Sequence, residues 1–181
     1  MTTAPTQSST RSLATAALLT AVTAVLAQVS IPLPVGVPIT LQTFAIALCG
    51  YFLGFRCGLF SVAAYLLLGL AGVPVFASFQ GGMGVLFGPT GGFLLGFLPM
   101  VLLCGAGMKS GRSPAIGILL GILGLALCHL CGAAQFSAVT QSSLARSFAV
   151  ASLPYLIKDV LSVGAAYFFA LLLRRRLHWA E

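Results

Sequence analysis

Residues 114–134 read PAIGILLGILGLALCHLCGAA, an apolar run that contains no Asp, Glu, Lys or Arg. A helix crosses the hydrocarbon core of a bilayer with roughly 20 mostly apolar residues, so this run alone is long enough to span a membrane. The rest of the chain has the same character: of 181 residues, 59% are hydrophobic and 6% are charged, and the mean hydropathy is +1.09. This composition excludes a soluble globular domain and indicates that lipid is the solvent.

Five further apolar runs accompany this one, at residues 13–29, 40–55, 57–73, 93–108 and 153–173. We therefore predict an all-α membrane protein with six transmembrane helices. The helices form a single domain over residues 1–181, with a flexible N-terminal tail over 1–11 and a basic cytoplasmic tail over 174–181. Arg11 followed by an apolar run also resembles a secretory signal peptide, but we favour a retained first helix because further spans follow it.

The basic residues predict the orientation of these helices, because cytoplasmic connections carry an excess of Lys and Arg. If both termini lie in the cytoplasm, Arg146 is the only basic residue on the outer side. The inner connections and ends then carry Arg11, Arg56, Lys109, Arg112, Arg174, Arg175 and Arg176. We therefore predict cytoplasmic termini and a multi-pass protein of the bacterial inner membrane. Basic residues that occur singly or at chain ends do not form the stripe that nucleic acid requires.

Two connections lack charge although their prolines and glycines prevent regular helix. Residues 31–38 read IPLPVGVP, and residues 73–92 read VPVFASFQGGMGVLFGPTGG. Irregular backbone at membrane depth is tolerated only where it is buried in protein or lines a cavity. Both connections fall on the outer side of the predicted topology, so we expect them to cap a ligand pocket. The second has no Gly-Lys-Ser/Thr and is not an ATP-binding P-loop.

The last span contains Lys158 and Asp159, and a charge inside a span usually marks a substrate or ion pathway. Tyr155 lies three residues before Lys158 and four before Asp159, so the three side chains form one polar patch on a helix. An ammonium group in such a pocket would hold a carboxylate, and Asp159 or Tyr155 would bind a polar head group. The alternatives are that Lys158 snorkels to the interface, that it pairs with Asp159 despite their unfavourable angle on a helix, or that Asp159 relays protons.

Further candidate ligand residues lie at the ends of the two uncharged connections. Gln42 opens the second span, where an interhelical hydrogen bond is the competing interpretation. Ser78 and Gln80 supply hydrogen-bonding groups in the second connection, and Phe79, with Phe76, is predicted to form an apolar wall.

The histidines and cysteines do not predict chemistry. Cys128, His129 and Cys131 imitate metal-ligand spacing, but a zinc site needs four ligands, and we predict no metal. His129 and His178 show no partners for catalysis, so we predict that the chain is not an enzyme and that it needs no cofactor.

Four motifs resemble one known family. They are IPLPVGVPITLQT at residues 31–43, GYFLG-x3-G at 50–58, YLLLGLAGVPVF at 65–76 and GPTGGFLLGF at 88–97. They are similar to the BioY family, the biotin-specific substrate-binding (S) component of energy-coupling factor (ECF) transporters. The resemblance implies a six-helix membrane protein that binds biotin near the extracellular side. It also implies docking onto a membrane T component that carries two ATPase subunits.

The resemblance carries over to individual residues only in part. Lys158 matches a lysine of the family's last helix, whereas Tyr155 stands where the family has an aspartate, and Asp159 follows instead. Gln80 stands near a family asparagine that precedes GPTGG. The first helix is implied to dock through small residues, here Ala16, Ala17, Ala21 and Ala24.

Two other functions stay open at this point. One is an S component for a different vitamin. The other is a biotin carrier that works without ATPases and uses Asp159 to couple uptake to protons.

Overall fold

A computed structural model of the protein describes residues 7–33, 37–109 and 113–177, most of which are helical. Two-residue strands β1 (Ser30–Ile31) and β2 (Ile39–Thr40) pair antiparallel between the first two helices. The α-helices are α1 (Gln7–Gln28), α2 (Gln42–Leu70), α3 (Met83–Phe87), α4 (Gly91–Gly107), α5 (Pro114–Thr140), α6 (Leu144–Ala151) and α7 (Leu156–Leu177). Short 3-10 turns occupy Ala77–Phe79 and Leu153–Tyr155.

Helix α2 contains two of the predicted spans, because the chain reverses direction at Gly54. This glycine has φ 78° and ψ −174° inside an otherwise helical stretch. In a straight helix, Gln42 and Tyr65 would lie about 35 Å apart, yet the Gln42 Nε2 atom donates to the Tyr65 hydroxyl over 2.7 Å. Residues 42–53 and 55–70 are therefore two antiparallel arms, and the turn lies two residues before the predicted one at Arg56.

The reversal is braced from α7. An interrupted helix leaves carbonyls of its last turn without an N–H from the following turn. The Arg174 Nε atom donates to the Phe52 carbonyl over 3.0 Å. Arg174, one of the basic residues at the end of α7, thus contributes to the fold as well as to the predicted orientation.

Helix α5 shows how the bundle separates its inner and outer faces. Its outward face carries exposed leucines, Leu119, Leu123, Leu127 and Leu130. Its inward face carries buried small residues, Gly117, Gly121, Gly124 and Cys128. A Cβ atom on Gly124 would lie 2.9 Å from the Met100 Cα atom of α4, so glycine lets the two backbones approach closely, as is usual in membrane helix pairs.

The predicted six-helix architecture is confirmed: the six predicted runs fall on α1, the two arms of α2, α4, α5 and α7, with changes at the element ends. Helices α1, α2, α5 and the stretch Leu144–Leu177 are long and apolar enough to cross a membrane, and α4 is a shorter apolar helix. Helix α1 already begins at Gln7, so residues 7–11 are helical instead of belonging to a flexible tail. Helix α7 continues to Leu177, so residues 174–177 are also helical. The predicted tail residues 1–6 and 178–181 lie outside the described part of the chain.

Gly54→Ala is expected to destabilise the protein, because its backbone region is accessible essentially only to glycine and costs about 1–3 kcal/mol for other residues. For a chain of this size, the melting temperature in detergent should fall by roughly 2–10 °C. Gly164→Ala is the matched control, since a Cβ atom there meets no neighbour and alanine favours the helix. Equal melting temperatures for the two variants would show that Gly54 is not required for the reversal.

Candidate functional site

A cavity of about 460 Å³ lies between the two uncharged connections, the first turns of α2 and α7, the N-terminal half of α4 and the middle of α5. Its volume falls within the range of small-molecule sites, roughly 300–1,000 Å³. The first connection contributes Pro32, Leu33, Val37 and Pro38, and the second contributes residues between Phe76 and Thr90. The motifs at residues 31–43 and 88–97 therefore meet at one pocket, together with Phe76 from the end of the motif at 65–76.

Lys158 extends from the first turn of α7 into the cavity wall. Its Nζ atom donates to the Thr40 carbonyl of β2 over 2.7 Å and forms an ion pair with the Asp159 carboxylate. An ammonium group has three N–H donors, and these contacts account for two of them. The side chain is 30% exposed, so Lys158 faces the cavity with capacity to bind an anionic or carbonyl oxygen.

Asp159 is almost fully buried and links two helices. Its Oδ2 atom lies 3.2 Å from His129 Nε2 of α5, and its other oxygen contacts Lys158. The sequence-based view that Lys158 and Asp159 pair poorly is wrong, because the long lysine side chain bends back across the one-residue angular offset. His129 and Asp159 are 3% and 4% exposed, so the charge cluster is largely shielded from solvent.

Tyr155 holds the first connection against the last helix. Its hydroxyl donates to the Val37 carbonyl over 2.6 Å, and the ring is buried. Val37 precedes β2 and Thr40 is its last residue, so Tyr155 and Lys158 together anchor this connection. Tyr155 lines the cavity, but its hydroxyl proton is already used by the protein.

Gln42 also lines the cavity and forms a chain of polar contacts behind it. Its side-chain oxygen accepts from the Thr40 hydroxyl over 3.1 Å, and its Nε2 donates to the Tyr65 hydroxyl. Tyr65 in turn donates to the Val75 carbonyl over 3.0 Å. The interhelical role weighed for Gln42 is therefore present, and its contact with a ligand stays a prediction.

The predicted residues of the second connection separate into two groups. Ser78, Gln80 and Phe76 line the cavity, and the Phe76 ring is 1% exposed. Phe79 is not among the lining residues, and 71% of it is exposed. Its predicted wall role is wrong because the backbone of Phe79 is left-handed, with φ 56°, whereas the sequence gives no periodic signal for side-chain direction in a 3-10 turn.

Sequence reasoning missed His129 and most of the apolar wall. His129 lies in an apolar span, so the argument that singled out Lys158 applied to it equally. Phe93, Phe97 and Leu125 also line the cavity, but aromatic and aliphatic residues in spans give no signal that separates lining from packing. Among residues 7–33, 37–109 and 113–177, no three His, Cys, Asp or Glu side chains are grouped as metal ligands. His178 lies outside these ranges.

The four alanines assigned to docking do not share one surface. Ala16 is buried, and its carbonyl accepts from the Ser61 hydroxyl of α2. Ala24 is partly buried against the core. Ala17 and Ala21 are exposed. Ala16 is thus a packing residue rather than a docking residue, because the four positions span more of the helix circumference than one face.

Comparison with known proteins agrees with this architecture. The sequence matches the BioY family over residues 1–179. The biotin transporter BioY of Thermotoga maritima is 36% identical over 91% of this chain and 96% of its own length. The biotin transporter BioY2 of Lactococcus lactis is 36% identical over 92% of this chain and 91% of its own length. A probable biotin transporter BioY of Pyrococcus horikoshii is 34% identical over 85% of this chain and 90% of its own length.

A solved structure gives the same result for the fold. The crystal structure of the S component for biotin from an ECF-type ABC transporter superimposes with a TM-score of 0.83 and 25% sequence identity. The match covers 98% of this chain and 96% of that one. These relatives are transporters, in agreement with the prediction that the chain is not an enzyme. The family predicted from the motifs is confirmed: the chain belongs to the BioY family.

Proposed function

We propose that this protein binds biotin within the membrane and mediates its uptake as the S component of an ATP-driven ECF transporter. The observation that carries the proposal is the Lys158–Asp159 pair at the wall of a cavity lined by both uncharged connections. The names of the relatives and of the solved S component support biotin as the ligand.

The chemistry of biotin matches the composition of the cavity. Biotin has a carboxylate at the end of an aliphatic chain and a ureido ring with N–H donors and a carbonyl acceptor. Lys158 would bind the carboxylate or the ureido carbonyl through its remaining N–H. Asp159, Gln42, Gln80 and Ser78 would exchange hydrogen bonds with the polar edges, and Tyr155 would hold the connection over them. Phe93 and Phe97 would cover the aliphatic part.

An S component also has a defined topology and works within an assembly. Residues 1–181 form one substrate-binding domain with both termini in the cytoplasm of a bacterium, and biotin is bound without any cofactor. The chain has no P-loop, so a T component and two ATPase subunits would supply the energy. Ala17 and Ala21 are exposed on α1 and would contact the T component.

A second function is favoured by the buried His129–Asp159 contact of 3.2 Å. Carboxylate and imidazole groups inside spans are typical of proton relays. Under this alternative, the protein would carry biotin without ATPases. Uptake into proteoliposomes that contain only this protein, and its collapse with a protonophore, would favour the carrier. Uptake that requires the T component and ATPases would favour the S component.

Ligand identity is tested by thermal unfolding of the detergent-purified protein with biotin and with a panel of other vitamins. At a biotin concentration about 100 times Kd, binding should stabilise the protein by about 2.7 kcal/mol. Biotin, and no other vitamin of the panel, should then raise the melting temperature by roughly 5–10 °C. A shift with another vitamin and none with biotin would overturn the biotin assignment and leave an S component of different specificity.

A further inference from the structure

Residues 75–80 form a segment that lines the cavity through Phe76, Ser78 and Gln80, and its backbone is unusual. Ser78 and Phe79 are consecutive non-glycine residues in the left-handed region, with φ 57° and φ 56°. Residues with a Cβ atom adopt this region at a cost in free energy and rarely adopt it in succession. The segment therefore keeps this shape only if its surroundings hold it there.

Much of the support for this segment comes from one side chain outside the cavity, that of Gln28 at the end of α1. The Gln28 Nε2 atom lies 3.3 Å from the Val75 carbonyl oxygen and 3.2 Å from the Phe76 carbonyl oxygen. The Phe79 backbone N–H donates to Gln28 Oε1 over 2.9 Å. The Gln28 side-chain amide thus contacts three backbone groups of the segment, and one of them is the N–H of the left-handed residue Phe79.

Two further contacts fix the segment between α1 and α2. Ser30 follows Gln28 by two residues, and its hydroxyl oxygen lies 3.2 Å from that of Ser78. On the opposite side, the Phe76 ring packs edge-on against Tyr65 and covers Gly69, where a Cβ atom would lie 2.1 Å from the ring. The ring anchors the segment to α2, and Gln28 anchors it to α1.

We propose that Gln28 is a positioning residue for the ligand site: it fixes the 75–80 wall and thereby slows release of the bound ligand. Gln28 is not among the cavity-lining residues, whereas Phe76, Ser78 and Gln80 are, so it acts through the wall. The inference rests on the proposed biotin-binding function. It makes the position of α1 a determinant of how long the ligand stays bound.

The test compares Gln28→Met, which keeps the side-chain length and removes the amide, with Gln28→Glu, which keeps the acceptor for the Phe79 N–H. Gln141→Met is the matched control, because Gln141 is an exposed glutamine at the turn after α5 whose amide donates to Ala138. Loss of hydrogen bonds of ordinary net strength should raise the dissociation rate of radiolabelled biotin about tenfold in Gln28→Met. Gln28→Glu should release biotin at least as fast as Gln28→Met, because its carboxylate keeps the acceptor for the Phe79 N–H but places a second oxygen against the Val75 and Phe76 carbonyl oxygens. The control should match wild type.

Hydrogen exchange of the unliganded protein provides a readout that general destabilisation would not reproduce. Gln28→Met should accelerate exchange of the amides of residues 76–80 and leave the amides of α4 and α5 at wild-type rates. Biotin release within about twofold of wild type, or unchanged exchange in the wall, would overturn the role of Gln28. Should Gln28→Met fail to fold, Gln28→Glu carries the same comparison. Failure of the proposed function would appear differently, as absence of biotin binding by the wild-type protein.

Discussion

Lys158→Met is expected to weaken biotin binding by roughly 100-fold, because a charge-assisted hydrogen bond contributes about 1.5–3 kcal/mol. Methionine keeps an apolar side chain of similar length and removes only the ammonium group. Asp159 then loses its ion-pair partner, and an uncompensated buried charge is itself strongly destabilising. Lys158→Met should therefore also melt at a lower temperature without ligand. Equilibrium binding of radiolabelled biotin to the purified variant measures the first effect, and thermal unfolding measures the second.

The chain provides a matched control for this prediction. Its other lysine, Lys109, follows α4 and is exposed, so Lys109→Met removes the same charge away from the cavity and should bind biotin with wild-type affinity. Lys158→Arg retains the charge but not the compact ammonium geometry, and its affinity for biotin should lie between those of Lys158→Met and Lys109→Met. Wild-type affinity in a folded Lys158→Met protein would remove Lys158 from the ligand site.

Apolar run length predicted the six helices well because every span must satisfy its own backbone hydrogen bonds in lipid. The exact position of the first hairpin was harder to predict. Arg56 indicated a cytoplasmic turn, but the reversal lies at Gly54, where the backbone needs φ 78°. Charge indicates which side of the membrane a turn occupies, whereas its exact residue depends on local backbone geometry. The extension of α1 back to Gln7 and of α7 forward to Leu177 was missed, because charge and polarity do not by themselves end a helix.

The candidate site was predictable where a single residue breaks a pattern. Lys158 and Asp159 are charged groups in an apolar run, and they do face the cavity. Contacts between spans were not predictable, because they depend on the rotation of each helix about its axis, which the lengths of the apolar runs and the positions of charges do not reveal. The His129–Asp159 pair joins residues 30 positions apart in the chain, and the Gln28 contacts to the second connection span about 50. For the same reason, the buried position of Ala16 could not be read from small-residue spacing.

His129→Leu is expected to lower both stability and biotin affinity, whereas His129→Gln should restore much of each. Leucine removes the donor 3.2 Å from Asp159 Oδ2 and leaves a buried acceptor without that hydrogen bond, at a cost of about 1–3 kcal/mol. The melting temperature should fall by roughly 2–10 °C. A misplaced Asp159 carboxylate would draw Lys158 away from the ligand, so the affinity for biotin should fall by about tenfold or more. Glutamine can present an amide N–H near the position of His129 Nε2.

A double-mutant cycle separates this role from simple loss of packing. If His129 acts by orienting Asp159, then His129→Leu should have little further effect once Asp159→Asn has removed the carboxylate. The two substitutions should then be non-additive, with an interaction free energy of about 0.5–3 kcal/mol in both biotin binding and unfolding. Additive effects would mean that the imidazole fills space beside Phe93, with which it makes an edge-to-face contact, and that the position of Asp159 does not depend on His129. Non-additivity would assign the buried end of the site to a three-residue cluster contributed by both α5 and α7.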